Sequence, residues 1–339
     1  MAILAGIDEA GFGPLLGPLL VSSCVFSVKP ELLGADLWQT FGRSVGKTRK
    51  HLGGRLLIAD SKKAYKRGEG APVSRASCPR SEGGTPSTRG VGHLERTVLA
   101  VLHCLGEEPA NLTELLTSLC PDCLPRLLEY PWYQKMPQRG LTGGPADGEI
   151  ASKVFAGDLE TQGAKLMHLQ SCCLDVAYYN TMVSRVKNKA QVLFIAVTQL
   201  IQDILSRFSD DCVHILIDRQ GGRAHYRENL LRSFSGVDLR IVAEGPETST
   251  YELRTGSRIV RLSFEVEADD RYLPVSLASM VSKYLRELLM DCMNEYFVGM
   301  STSLKPTAGY WKDGQRFVEE LRRHLPQLEI DDHRLIRCR

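Results

Sequence analysis

The chain has 339 residues, of which 43% are hydrophobic and 24% charged, and its formal net charge is +2. That length can bury a large core in one elaborated domain or two, and the composition excludes a disordered or fibrous chain. The near-neutral balance excludes a protein that holds polyanions by bulk charge, although Arg43 to Arg96 carries thirteen Lys/Arg against four Asp/Glu, an excess suited either to phosphate contact or to a solvated loop.

Ile3 to Asp8 and Leu19 to Val28 read as paired strands around a Gly/Pro turn. The apolar run Leu15 to Phe26 is interrupted by Gly17 and Pro18 and is too short to cross a bilayer. No basic leader is visible, so the expected location is cytoplasmic, with no membrane partner. The pattern predicts a helix over Leu32 to Arg43 and a short apolar run from Arg55 to Ala59, which ends at Asp60-Ser61-Lys62-Lys63. Gly68 to Gly92 is rich in Gly, Ser, Pro and Arg and too poor in apolar residues to order itself, which predicts a flexible insertion. A helix follows over Leu94 to Leu105. Six prolines then break Gly106 to Gly148 into short helical pieces, read as an inserted cap.

Ala164 to Val176 reads as a strand and Tyr178 to Phe208 as one long helix. Val213 to Ile217 is a buried strand ending at Asp218, and Arg223 to Phe234 a helix. Leu239 to Ala243 and Arg258 to Val266 are strands, the second leading into Asp269-Asp270. Pro274 to Phe297 has a strong helical stripe, with proline suited to its first turn. A turn at Gly309-Tyr310 precedes a last helix, Gln315 to His324. The division this implies is 1–65 and 151–339 as parts of one α/β domain, with a flexible insertion at 66–93 and a helical cap at 94–150.

Ten cysteines include the pair Cys172-Cys173 and a lone C-x-x-C at Cys120 and Cys123. A structural zinc site needs four ligands. His103, Cys104, His168 and Cys172 are the residues that folding would have to bring there, and otherwise the thiols are plain buried or loop residues.

Three predicted strands run into acids: Asp8-Glu9, Asp218 and Asp269-Asp270. Strands in a sheet lie only ~4.8 Å apart, so these ends can converge. Gathered carboxylates raise one another's pKa values. Divalent cations remove that penalty, and a pair of them can clamp both oxygens of a phosphoryl displacement.

The stretch Gly6-Ile7-Asp8-Glu9-Ala10-Gly11, followed by Gly13-Pro14, resembles the first motif of type 2 ribonucleases H (ribonuclease HII). Asp60-Ser61-Lys62-Lys63 is similar to that family's D-S-K-K segment, and Ile215-Leu216-Ile217-Asp218 to the strand that delivers its third acid. Asp269 followed by Ala278-Ser279-Met280-Val281-Ser282-Lys283 and Arg286 is similar to its late acid and helix, and Gly309-Tyr310 to its G-Y turn. The resemblance implies a ribonuclease H-like mixed sheet flanked by helices. It also implies a hydrolase that cuts RNA in RNA–DNA hybrids or ribonucleotide-containing DNA with two magnesium or manganese ions. Metal ligands would be Asp8, Glu9, Asp218 and Asp269, with Asp270 the alternative to Asp269. Substrate contacts would come from Gly11, Phe12, Gly13, Ser61, Lys62 and Tyr310. The bland alternatives are a solvated Lys62-Lys63 pair and a core position for Tyr310.

Two departures qualify that expectation. The family has G-R-G where this chain has Gly11-Phe12-Gly13, and phenylalanine supplies neither charge nor donor. Asp218 is followed by Arg219-Gln220-Gly221-Gly222-Arg223 in place of D-G-N, which makes Arg219 and Arg223 candidate replacements for the missing cation. The competing readings are a nucleic-acid-binding module with weak or no cleavage and, less favoured by the pattern after Gly13, a phosphate-cradling nucleotide site.

Overall fold

The computed structural model describes residues 1–50, 52–65, 91–141, 145–209 and 212–338. Among the described residues nine strands are formed: β1 (Ala2–Ala10), β2 (Leu19–Val28), β3 (Val45–Gly46), β4 (Leu56–Leu57), β5 (Lys165–Leu174), β6 (Cys212–Asp218), β7 (Asp238–Glu244), β8 (Thr248–Thr255) and β9 (Arg258–Glu265). Seven of them make one mixed sheet in the order β5-β2-β1-β6-β9-β8-β7, and β3 and β4 pair separately. The central trio β1, β6 and β9 is parallel, while the flanking pairs are antiparallel.

Alternation along each strand divides the apolar residues between two faces. Ile3, Ala5 and Ile7 of β1, with Val213, Ile215 and Ile217 of β6, face a core closed by helices Val176–Val186 and Lys189–Arg207. Leu4, Leu20, Phe26 and Leu216 face the other core, built on the 28-residue helix Leu273–Met300. The result is an α/β fold with a mixed sheet held between helices, as the sequence predicted.

The approach of the long helix depends on one residue. A Cβ on Gly6 would stand 2.2 Å from both the Pro274 carbonyl carbon and the Val275 nitrogen. Only glycine lets the first turn of that helix lie against β1 beside Asp8.

Several predicted elements differ from the observed ones. The Leu32–Arg43 helix is reduced to a 3₁₀ turn at Pro30–Leu32 and one α-turn at Leu37–Thr40, because Asp36 caps the latter and starts it afresh. The long helix over Tyr178–Phe208 is two helices. Lys187 adopts a left-handed φ of 53°, and the Asn188 side chain then accepts from the Ala190 and Gln191 N–H groups, a new N-cap. The helix expected from Arg223 begins only at Arg227, and β8 was not anticipated. Strand β9 stops at Glu265. Glu267, at φ 52°, turns the chain into a one-turn helix, Ala268–Arg271, so Asp269 and Asp270 sit on that turn and not on the strand.

The segment 66–90, expected to be the flexible insertion, lies outside the described residues. Its expected end at 93 falls inside helix Gly92–Cys104, and the boundary at 150 falls inside helix Pro145–Thr161. The expected cap does not stand apart, because Val98, Leu115, Leu127 and Trp132 share one core with Leu4 and Leu285. Among the described residues, no helix is long and apolar enough to cross a membrane.

Gly6→Ala should destabilise the protein by about 3 kcal/mol or more, because the added methyl meets backbone rather than a movable side chain. Chemical denaturation of that variant against Ala5→Gly, which removes a buried methyl on the opposite face, measures the difference.

Candidate active site at the carboxyl ends of the parallel strands

The parallel register places Ile7 beside Ile217 and Asp218 beside Glu265. The next position along β1 therefore sets Asp8 at the same end of the sheet as Asp218. Asp8 is 6% exposed, and its carboxylate accepts from the Glu9 N–H at 2.7 Å and bonds the Ser279 hydroxyl. Asp218 accepts the Ala268 N–H at 2.8 Å, so this strand-end acid caps the turn that carries Asp269. Asp8, Glu9, Asp218 and Asp269 thus lie within electrostatic reach of one another.

Burial and mutual repulsion shape the acidity of the cluster. Burial, then Glu9, Asp218 and Asp269, pushes Asp8 well above the usual carboxylate range. Burial, then Asp218, raises Glu9 to about 8. Burial, Asp218 and a hydrogen-bonded Asp60 raise Asp269 to about 6, and burial raises Asp218. Lys62 opposes these shifts on Glu9, Asp218 and Asp269 and is the exposed cation beside the acids.

Asp269 and Asp270 separate cleanly. Asp269 joins the acids, whereas Asp270 accepts from Lys63 at 2.8 Å and has Lys47 3.5 Å away, which holds it below its ordinary value. Ser61 is buried, and its hydroxyl lies 3.1 Å from that of Ser279. It therefore supports the long helix. Much of the basic stretch is also occupied internally: Arg49 donates to Ala64 O, Arg55 to Leu52 O and Gly42 O, and Arg96 to Gly54 O.

Behind the acids the long helix presents Ser279, Ser282 and Arg286 at helical spacing. Ser282 donates to Asp8 O at 3.1 Å and contacts the Ser22 hydroxyl at 2.8 Å, which in turn contacts Ser171. Arg286 is 1% exposed and donates to Leu16 O and Ala308 O. Gly11, at φ 91°, packs on it, since a Cβ there would stand 2.5 Å from the Arg286 Nε.

The loop Gly11-Phe12-Gly13 has a partner that the sequence did not suggest. Arg337, 4% exposed and close to the last residue of the chain, donates to Gly11 O and, at 2.7 Å, to Phe12 O, while stacking on Tyr179. Burial lowers it to about 10. Nothing in the local pattern around Arg337 signals this, because the contact spans most of the chain. Lys189 lies 5.6 Å above the Phe12 ring. Arg219 and Arg223, the suggested substitutes for the missing arginine, are engaged elsewhere. Arg219 donates to Arg223 O, Gly245 O and Pro246 O, and Arg223 stacks on Phe194 and Tyr226. Among the described residues, Lys189, Arg286 and Arg337 are cations at the loop.

Tyr310 is 53% exposed at the N-terminus of helix Trp311–His324, with Arg286 5.8 Å from its ring, so it is no core aromatic. The Gly309 carbonyl accepts from Leu15 and Leu16 N–H groups, which docks this turn on the loop after Pro14.

The donor set is four oxygen acids, the chemistry a hard divalent cation takes. Among the described residues, no group of three or more His, Cys, Asp or Glu side chains is arranged to hold a metal ion.

No protein-family model matches the sequence, and no curated protein matches it. The solved structures to which it is similar include type 2 ribonucleases H. The ribonuclease HII of Archaeoglobus fulgidus, determined in complex with PCNA, is 14% identical with a TM-score of 0.42, over 99% of this chain and 94% of that one. Ribonuclease H2 from Pyrococcus horikoshii OT3 is 13% identical with a TM-score of 0.37, over 98% and 92%. Bst-RNase HIII, determined with Mn2+, is 12% identical with a TM-score of 0.38, over 99% and 66%.

Glu9 at about 8, against an ordinary 4.5, makes a prediction about stability. Between those values the folded chain holds a proton that the unfolded chain has released. Stability of the metal-free protein should therefore fall as pH rises from about 5 to 8. Thermal unfolding across that range should show the decline, and Glu9→Gln should flatten it.

Proposed function

We propose that this protein is a metal-dependent endonuclease that hydrolyses phosphodiester bonds of RNA paired with DNA. The observation that carries this reading is the cluster of Asp8, Glu9, Asp218 and Asp269 at the carboxyl ends of adjacent parallel strands, where open sheets gather their ligands. Those four residues would draw closer together than in the metal-free arrangement to hold two magnesium or manganese ions, which would supply an activated water and charge stabilisation for in-line displacement. The chain's own residues do the rest. The Asp218 cap on the Ala268–Arg271 turn fixes Asp269 beside the strand acids, and the Ser282 and Ser279 contacts fix Asp8. Lys62 stands exposed at the rim, placed for a phosphate. Tyr310 offers an open ring face for a sugar or base.

Backbone groups of Gly11 to Gly13, braced from behind by Arg337 and Arg286, present a rigid loop whose side chain at position 12 is apolar. That apolar position favours a second reading, a nucleic-acid-binding module with weak cleavage. Magnesium- or manganese-dependent cutting of a labelled RNA–DNA hybrid decides between the two, and binding of the hybrid without cutting would establish the second.

Asp8→Asn should abolish cleavage while leaving the metal-free fold intact or slightly more stable, since it removes a buried, repelled carboxylate. Parallel activity and melting measurements check both halves. Full activity in that variant would overturn the metal-site reading.

A charge-assisted phosphate contact is worth ~1.5–3 kcal/mol. Without one at position 12, cleavage at a lone ribonucleotide in duplex DNA should lag cleavage of a longer RNA tract by about tenfold or more. Phe12→Arg should narrow that gap only in part, because Lys189 and Arg337 already place positive charge at the loop. Rates on the two substrates at fixed salt measure it.

A further inference from the structure

The C-x-x-C pair that the proposed activity leaves unused has a defined setting. Cys120 ends helix Leu112–Leu119, and Cys123 lies one turn on, its N–H donating to Cys120 O at 3.2 Å. Their Sγ atoms are 3.5 Å apart. The Cys173 thiol, on β5, hydrogen-bonds Cys123 from the other side. Cys120 and Cys123, 4% and 1% exposed, are among the residues that line a cavity of about 460 Å³ open to solvent, together with Cys172, Cys173 and Arg126. The residues named as further ligands of a zinc site are spread among other partners. His103 pairs with Glu108, Cys104 contacts Ser152, and His168 meets Gln170 and Asp203. Cys172 reaches the cavity but contacts Gln199.

The geometry points to Cys120 and Cys123 as an oxidation site for a small peroxide, with Cys123 the attacking sulfur and Cys120 the resolving one. The ring closes easily: residues joined by an i to i+3 turn bond have Cα atoms less than about 7 Å apart, the span a disulfide bridges. Cys173 is held in the β5 ladder against Leu20 and instead serves as a hydrogen-bonding neighbour. The groups that face Cys123 are the Cys120 and Cys173 thiols, Arg126 and Asp175. The two thiols and Arg126 outweigh burial and Asp175 and lower Cys123 to about 5, whereas the hydrogen bond with Cys123, then burial, raises Cys120 and Cys173. The direction of these shifts favours Cys123 as the thiolate.

The chemistry closes without a further reagent. The Cys123 thiolate attacks a peroxide oxygen, the O–O bond breaks, hydroxide leaves, and a sulfenic acid remains. The Cys120 sulfur gives up its proton and attacks the Cys123 sulfur, so that an S–S bond forms as the S–O bond breaks and a second hydroxide leaves. The two protons shed by the thiols turn both hydroxides into water. Two thiols are oxidised by two electrons, and one peroxide is reduced.

The test treats the reduced 339-residue chain with equimolar hydrogen peroxide at pH 6, alkylates it, and maps the thiols by peptide mass. Exposure alone favours Cys212 and Cys338. The proposal instead expects a Cys120–Cys123 disulfide to form about tenfold faster than either exposed thiol is lost, an advantage that shrinks as pH approaches the ordinary thiol value of ~8.5. In Cys120→Ser, a sulfenic-acid trap such as dimedone should label Cys123. Prior loss of Cys212 and Cys338 with both C-x-x-C thiols still alkylatable would overturn the proposal. So would a Cys123–Cys173 disulfide, or stoichiometric zinc that protects the thiols. The wild-type mapping stands even if a variant fails to fold.

Discussion

The contact between β1 and the first turn of helix Leu273–Met300 governs this molecule. Gly6 has no side chain, so the backbone of Pro274 and Val275 can lie where a Cβ would otherwise be. That approach brings Ser279 to the Asp8 carboxylate and Ser282 to the Asp8 carbonyl. It also sets Arg286 under the loop after β1, where Gly11 again leaves room for it. One helix thus registers the strand-end acid, the serine chain across Ser22 and Ser171, and the glycine loop against a single rigid body.

The acids then define a site of stored electrostatic cost. Buried carboxylates that repel one another are expensive to keep charged, and here the compensation is partial: backbone N–H groups of Glu9 and Ala268, the Ser279 hydroxyl, and Lys62 from the rim. Asp270, one residue from Asp269, lies in the opposite condition, neutralised by Lys63 and Lys47. Neighbours on one helical turn differ by roughly 100° in direction, enough to send one acid into the cluster and the other to a surface ion pair.

Two buried arginines brace the glycine loop. Arg286 comes from the long helix and Arg337 from the end of the chain, and both donate to two backbone carbonyls, Arg286 to Leu16 and Ala308, Arg337 to Gly11 and Phe12. The segment between Gly92 and Thr161 is tied in by a comparable device. Asp175 caps helix Val176–Val186 through the Tyr178 N–H and accepts from Tyr130 O–H at 2.6 Å and Arg126 Nε at 2.8 Å. This carboxylate is 3% exposed, and removing either partner would leave it poorly satisfied. The supposed cap is therefore continuous with the main core.

The sequence alone determined what local rules control. Apolar runs bounded by turns or acids marked β1, β2, β5, β6, β7 and β9, a helical stripe marked Leu273–Met300, and acids after three apolar runs marked where charge would gather. Local signals were also misread where one residue changed the outcome. Lys187 and Asn188 split a continuous apolar periodicity into two helices, and Glu267 moved Asp269 from a strand onto a turn. Only the tertiary structure decided that Asp269 and not Asp270 joins the acids. It also decided that Ser61 is buried against Ser279, that Arg219 holds backbone carbonyls while Arg223 stacks on Phe194 and Tyr226, and that Arg337 reaches Gly11 and Phe12. The physical reason is the same in each case: these are contacts between residues far apart in sequence, fixed by sheet order and helix docking, and periodicity carries no record of which distant partner a side chain will meet.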